Sequence, residues 1–182
     1  SRMDNGRIRW YNVDMPETME LRRRMLESKD REQNIGKSIL DFTWLDSVKK
    51  NQGEAILFVC CDVTKYFTTK KLQAFLDAIW QRFPGAEVLF DVKNSVGRKQ
   101  ANLKVLTGKK KGSFIKVSID NCTSLMYDWN IKYRVLYDRA ILNKEDITDM
   151  FSDDVARRYR HAIRRKYDKI IQLRLGTERI QF

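Results

Sequence analysis

The hydrophobic pattern is densest between Ala55 and Lys93, which reads AILFVCCDVTKYFTTKKLQAFLDAIWQRFPGAEVLFDVK. Ala55 to Cys61 is a short apolar run, of the length of a strand buried on both faces. Leu72, Phe75, Leu76, Ile79 and Phe83 then recur at the spacing of one apolar helical face. Thr68 or Thr69 caps that helix, and Pro84-Gly85 stops it. Ala86 to Val92 is a second strand-like run, rich in Val, Leu and Phe. Strand, helix and strand in this order predict a parallel pair with a right-handed crossover. Such sheets bind ligands beyond the carboxyl ends of their strands. Cys61, Asp62, Val63 and Tyr66 stand at that end, as do Asp91, Lys93 and Asn94.

The pattern is sparser elsewhere. Ile8 to Val13 reads as a strand with Asp14 at its end, and Pro16 opens a helix running to about Ser28. Ser38 to Leu40 reads as a short strand ending at Asp41, and Leu45 to Lys50 as a short helix. Ser95 to Asn130 is the least regular part. It mixes Lys, Gly and Ser with Ile115, Val117 and Ile119, and ends in Leu125-Met126-Tyr127-Asp128-Trp129. Tyr133 to Leu142 reads as a strand, Lys144 to Phe151 and Asp153 to Tyr167 as helices, and Lys169 to Leu175 as the final strand. Alternating strands and helices over 182 residues predict a single α/β domain spanning residues 1–182.

Several of these segments resemble one family. The apolar strand running into Tyr66-Phe67, the capped helix and RFPGAEVLFD are similar to the leucine carboxyl methyltransferase and polyketide O-methyltransferase family. These are class I S-adenosylmethionine-dependent methyltransferases. IRWYNVDMPETMELRRR resembles the family's second strand, acidic tip and Pro-started helix. SILDFTW resembles its third strand and adenine-side loop, and YRVLYDRAIL and KIIQLRLG its last two strands. The resemblance implies a Rossmann-like sheet with helices on both faces. It implies S-adenosylmethionine as cofactor and a small-molecule carboxylate or hydroxyl as methyl acceptor. It makes residues 95–130 an insertion or lid over the substrate pocket, with Tyr66, Tyr127 and Trp129 as substrate contacts.

The same resemblance gives roles to acids at strand ends. It places Asp14 on the cofactor's ribose hydroxyls, a task that suits a carboxylate, which accepts and does not donate; Asp also fills a helix N-cap well. It places Asp41 by the adenine amino group with Phe42 against the ring; a turn Asp and a core Phe explain the same letters. Where the family has a Glu-Gly pair near the cofactor, this chain has Cys61-Asp62. A thiol is a weak donor and acceptor and does not replace a carboxylate facing an ammonium group. Asp62 is rotated to the other face. Tyr66 also reads as a core residue at the helix entrance.

The family opens with a strand and a glycine-rich turn around the cofactor's amino-acid end. In this sequence Gly6 and Gly36 are isolated, and Gly108 and Gly112 lie in a Lys-rich loop. The expectation is therefore a copy truncated at its first strand, with weak cofactor binding. The strands at Ile8 and Ala55 are then left with unpaired edges, and self-association as a homo-oligomer is one remedy.

Charge adds a second reading. The formal net charge is +12, concentrated in RKQANLKVLTGKKKGSFIK and RRYRHAIRRKYDK. Basic stretches with aromatics bind nucleic acid in some proteins, although no nucleic-acid motif accompanies the charge here, so this partner is disfavoured. The alternative function is a non-catalytic basic binding module on a degenerate methyltransferase scaffold. Cys60, Cys61 and Cys122 are an odd count, and two lie in an apolar strand, which suits a reducing, cytoplasmic compartment. A single histidine, His161, and no cysteine pair at ligand spacing argue against a metal site. No apolar run approaches the ~18–20 residues that span a bilayer, so no membrane partner is expected. No nucleophile–base set stands out, and direct methyl transfer needs positioned reactants more than a triad.

Overall fold

The computed structural model of the chain describes residues 6–27, 30–130, 132–142 and 151–176. Its contacts divide it into two compact units, Ser1–Glu54 and Ala55–Phe182. In the first unit, β1 (Trp10–Asp14) is followed by α1 (Pro16–Met25), β2 (Glu32–Gly36) and a 3-10 turn at Phe42–Ser47. β1 and β2 pair in parallel, from Trp10 opposite Glu32 to Asp14 opposite Gly36. Met19, Ile35, Trp44, Leu45 and Val48 form the buried core of this unit.

The second strand of this unit corrects the sequence reading. It lies at Glu32–Gly36 and not at Ser38–Leu40, which is a turn in which the Asp41 amide donates to the Ser38 carbonyl at 2.9 Å. The letters EQNIG hide a strand because polar groups hold it. The Asn12 carboxamide on β1 donates to Glu32 at 2.5 Å and to Asn34 at 3.0 Å, and Arg22 donates to Glu32 at 2.6 Å. α1 ends at Met25, short of Ser28, and the helix expected at Leu45–Lys50 is the 3-10 turn three residues earlier.

The second unit contains β3 (Leu57–Cys60), a 3-10 turn at Thr64–Tyr66, α2 (Thr69–Arg82), β4 (Glu87–Lys93), α3 (Ser95–Leu106), α4 (Cys122–Trp129), β5 (Tyr133–Ala140), α5 (Asp153–Arg165) and β6 (Asp168–Leu175). Its sheet runs β3-β4-β6-β5. β3 and β4 are parallel, as the strand–helix–strand pattern predicts, and β6 runs antiparallel to both of its neighbours. One face of this sheet is fully buried through Val88, Phe90, Val92, Ile171, Leu173 and Leu175. The opposite face carries Leu57, Val59 and an ion pair between Glu87 and Arg174 at 2.6 Å. The helix expected at Lys144–Phe151 lies outside the described residues except for Phe151.

α2 forms where the pattern places it. The Thr68 hydroxyl accepts from the Lys71 amide at 3.3 Å, and Leu72, Phe75, Leu76 and Ile79 are buried. Each such side chain contributes about 1.5–3 kcal/mol on burial. The segment from Ser95 to Asn130 differs from the sequence expectation of irregularity. It opens with the 12-residue helix α3 directly after β4 and closes with α4. The Asn94 side chain caps α3, accepting from the Gly97 amide at 2.8 Å and donating to the Arg165 carbonyl at 2.8 Å. Gly97 is needed for this packing: a Cβ there would lie 2.5 Å from the Tyr167 carbonyl oxygen.

Candidate functional site

In the second unit the carboxyl ends of β3 and β4 meet around a tight turn. Cys60, the last residue of β3, is buried, and burial pushes its thiol up to about 12. Cys61 is exposed. Asp62 has a left-handed backbone, φ 61°, which Asp tolerates better than most residues other than Gly. That conformation accounts for the glycine of the resembled pattern at this position. The Asp62 amide donates to Asp91 Oδ1 on β4 at 2.5 Å, and the buried Thr64 hydroxyl donates to the Asp91 carbonyl at 2.9 Å. One aspartate of β4 thus fixes the turn that presents Lys65 and Tyr66.

A cavity of about 280 Å³ opens beside this turn. It is lined by Asp91 and Lys93 at the end of β4, and by Asp168 at the start of β6. One wall is the turn with Asp62, Lys65 and Tyr66; another is α3 through Ala101, Asn102 and Val105. The loop from Lys110 to Ile115 contributes further lining, and Ile141 completes it. That loop is pinned. The Asn102 carboxamide donates to the Ile115 carbonyl at 2.9 Å and accepts from the Ile115 amide at 2.8 Å. The next amide, Lys116, donates to the Lys65 carbonyl at 2.9 Å. α3, the loop and the turn are therefore one hydrogen-bonded frame.

The charges inside this frame are largely paired. Lys65 bonds Asp62, and Lys93 bonds Asp168. Partial burial works most strongly against the charge on Lys65, but the bond and charge of Asp62, together with Tyr66 and Asp91, outweigh it and raise its pKa. The Lys65 ammonium also sits 5.2 Å above the Tyr66 ring. Lys110 and Lys111 line the cavity and are exposed.

The expected site residues fall into three places. Asp62 and Tyr66 line the cavity, with Cys61 next to them in the chain. Tyr127 and Trp129 lie on α4, which packs against β5, and are not among the cavity's lining residues. Asp14, Asp41 and Phe42 belong to the first unit, at the carboxyl end of its parallel pair. Asp14 is exposed, with Oδ1 accepting from the Met15 amide at 2.7 Å; the N-cap of α1 is Met15, so Asp14 does not spend its carboxylate as the cap. Asp41 caps the 3-10 turn, accepting from the Thr43 hydroxyl at 2.6 Å and its amide at 3.2 Å, and the hydroxyl bond leads in lowering its pKa. Phe42 is half-buried. His161 is exposed with Nε2 3.1 Å from the Tyr167 hydroxyl. Among the described residues no group of His, Cys, Asp and Glu could hold a metal ion, and no helix is long and apolar enough to cross a membrane.

Sequence reasoning missed Asn102, Lys110, Lys111 and Asp168 as parts of one site. The triple lysine was visible as charge; its position over the strand ends follows from α3, which the apolar pattern does not reveal.

No family model matches the chain. It is 31% identical over 84 residues to the tetracenomycin polyketide synthesis O-methyltransferase TcmP of Streptomyces glaucescens, a match spanning 46% of this chain and 30% of that protein. The match thus covers less than a third of the length of this curated relative. In fold, the chain is similar to an O-methyltransferase family protein of Burkholderia thailandensis (TM-score 0.57, 12% identity, 95% of this chain and 45% of that one). It is also similar to human N-acetylserotonin methyltransferase, solved in complex with SAM (TM-score 0.52, 13% identity, 93% and 41%). A third similar structure is the putative methyltransferase in a complex with the Haloferax volcanii activator Trm112 (TM-score 0.56, 12% identity, 96% and 74%). The fold is that of the Rossmann-like class I methyltransferases, and the sequence resembles a polyketide O-methyltransferase.

Proposed function

We propose that this chain is part of an S-adenosylmethionine-dependent O-methyltransferase acting on a carboxylate or hydroxyl of a small molecule. The observation that carries the reading is the cavity at the carboxyl ends of β3 and β4, in a fold of this class. That position is where open α/β sheets bind their ligands. When bound, S-adenosylmethionine supplies an electrophilic methyl group.

Taken by itself, the first unit carries residues of the kind that bind a nucleoside. Asp14 keeps one carboxylate oxygen clear of the bond to Met15 and would accept from the ribose hydroxyls. Asp41 and the half-buried Phe42 would meet the adenine. In the second unit the fit is poorer. Cys61 is a thiol where the resembled pattern has an acid, and the Asp62 carboxylate is already bonded to Lys65. Within this unit these two give an ammonium group no firm hold. Tyr66 and the cavity walls would orient the acceptor oxygen, and positioning alone accounts for a large part of such a rate. The free thiols suit the cytoplasm, where thiols stay reduced.

Isothermal titration with S-adenosylmethionine tests this. The expected result is binding weaker than about 1 μM that Asp14→Ala weakens further, by about tenfold. Unchanged affinity in Asp14→Ala removes that residue from the site, and no binding at millimolar cofactor overturns the reading for this chain. A second reading, a basic binding module without catalysis, is favoured by one observation: no acidic residue occurs between Asp91 and Asp120. Steeply salt-dependent binding of nucleic acid by a chain that ignores the cofactor would select it.

A further inference from the structure

We infer that Lys110 and Lys111 form an anion clamp over the cavity, so that the acceptor carries a negative charge at a point away from the oxygen that is methylated. The inference rests on the reading of this cavity as the acceptor site. It comes from an accounting of charge around the cavity. Four lysines and three aspartates line it. Lys65 is taken by Asp62 and Lys93 by Asp168. Asp91 is occupied by the Asp62 amide. Lys110 and Lys111 have no carboxylate partner among the described residues, and none stands nearby in sequence, because the chain from Val92 to Ile119 contains no acid.

Two unpaired ammonium groups on a free loop would be ordinary solvated charge. These are on a loop held at Asn102 and at Lys65, and the Lys110 amide bonds back to the Lys104 carbonyl at 3.0 Å. Both residues line the cavity, whose other two lysines are neutralised. A neutral acceptor would leave them idle. An acceptor with a carboxylate, phenolate or sulfate at one end would meet them there, with its methylated oxygen among the other lining residues, such as Tyr66. Lys109, in the same basic run, is not among the lining residues and provides an internal control.

Nuclear magnetic resonance titration of the 182-residue chain with 4-hydroxybenzoate and with its neutral methyl ester tests the clamp without any cofactor. The two probes differ in one charge. The acid is expected to bind about tenfold more tightly than the ester, the size of one charge-assisted contact, with shifts at Asn102 and Lys110 to Ile115. The double variant Lys110→Gln, Lys111→Gln is expected to lose that preference, and Lys109→Gln to keep it. Equal binding of acid and ester, no binding of either, or a preference that survives the double variant overturns the clamp. Because no S-adenosylmethionine is present, such a failure is distinct from failure of the methyltransferase reading, which the cofactor titration decides.

Discussion

α2 and α3 follow neighbouring parallel strands and have nearly the same length, 14 and 12 residues. Both begin at a side-chain cap, Thr68 and Asn94. They are held in opposite ways. α2 buries Leu72, Phe75, Leu76 and Ile79, each at 0–1% exposure, in one continuous stripe. α3 buries Gly97 alone, while Val96, Leu103 and Leu106 stand 46%, 58% and 73% exposed. What fixes α3 is close backbone approach at Gly97 and hydrogen bonds from Asn94 and Asn102. A helix can be specified by an apolar stripe or by a few polar and steric fits. The second kind leaves a face free to border a cavity.

The contrast is sharpest in the core. Phe75→Ala on α2 is expected to cost about 3–5 kcal/mol in denaturant unfolding. A loss under 1 kcal/mol would show that the stripe does not anchor the unit. Next comes the steric device of α3. Gly97→Ala is expected to destabilise by about 1–3 kcal/mol, because its methyl group meets the Tyr167 backbone; an unchanged or raised midpoint would break this account. A third effect is confined to alkali. The Tyr133 hydroxyl donates to Asp77 of α2 at 2.5 Å; burial, and then that bond, raise its pKa from the ordinary 10.0. A raised acid is stabilising below its unfolded pKa and loses that contribution as pH rises above it. Stability should therefore fall with each pH unit above 10, and Tyr133→Phe should flatten the slope in urea melts. The same slope in wild type and variant would remove Tyr133 as a cause. Smallest of all is Leu103→Ala on the open face of α3, expected within about 0.5 kcal/mol of wild type. A loss above 2 kcal/mol would mean that this face is covered in solution.

The same contrast explains what was legible in the sequence. α2 and β4 were readable because apolar period and burial coincide: the pattern residues Leu72, Phe75, Leu76 and Ile79 are the buried ones. β5 and β6 were readable for the same reason, with Ile171, Leu173 and Leu175 alternating inward. β3 was readable as an apolar run, but it is not buried on both faces, since Leu57 and Val59 stand exposed. β2 was displaced by several residues because Glu32, Gln33 and Asn34 carry no apolar signal, while Ile39 and Leu40 do. α3 was missed because glycine and asparagine read as loop letters, and their contacts with Tyr167 and Ile115 are long-range. The site followed suit. Asp62 and Tyr66 were found from a strand end, whereas Asn102, Lys110 and Lys111 depend on where α3 turns back. Tyr127 and Trp129 were grouped with the site by resemblance; they lie on α4, which packs on β5, and do not line the cavity.

β3 has a further consequence. It pairs with β4 along one edge and, among the described residues, with nothing along the other. Its letters LFVC include no charge or proline, and Leu57 and Val59 are 54% and 55% exposed. Protein chemists blunt such an edge with lysine or proline because any extended chain can add to it. If a second copy adds there, the amount of chain dissolved becomes a thermodynamic variable. Whatever joins that edge stabilises the folded form by mass action, so a melting temperature that rises with chain concentration would be the sign of it.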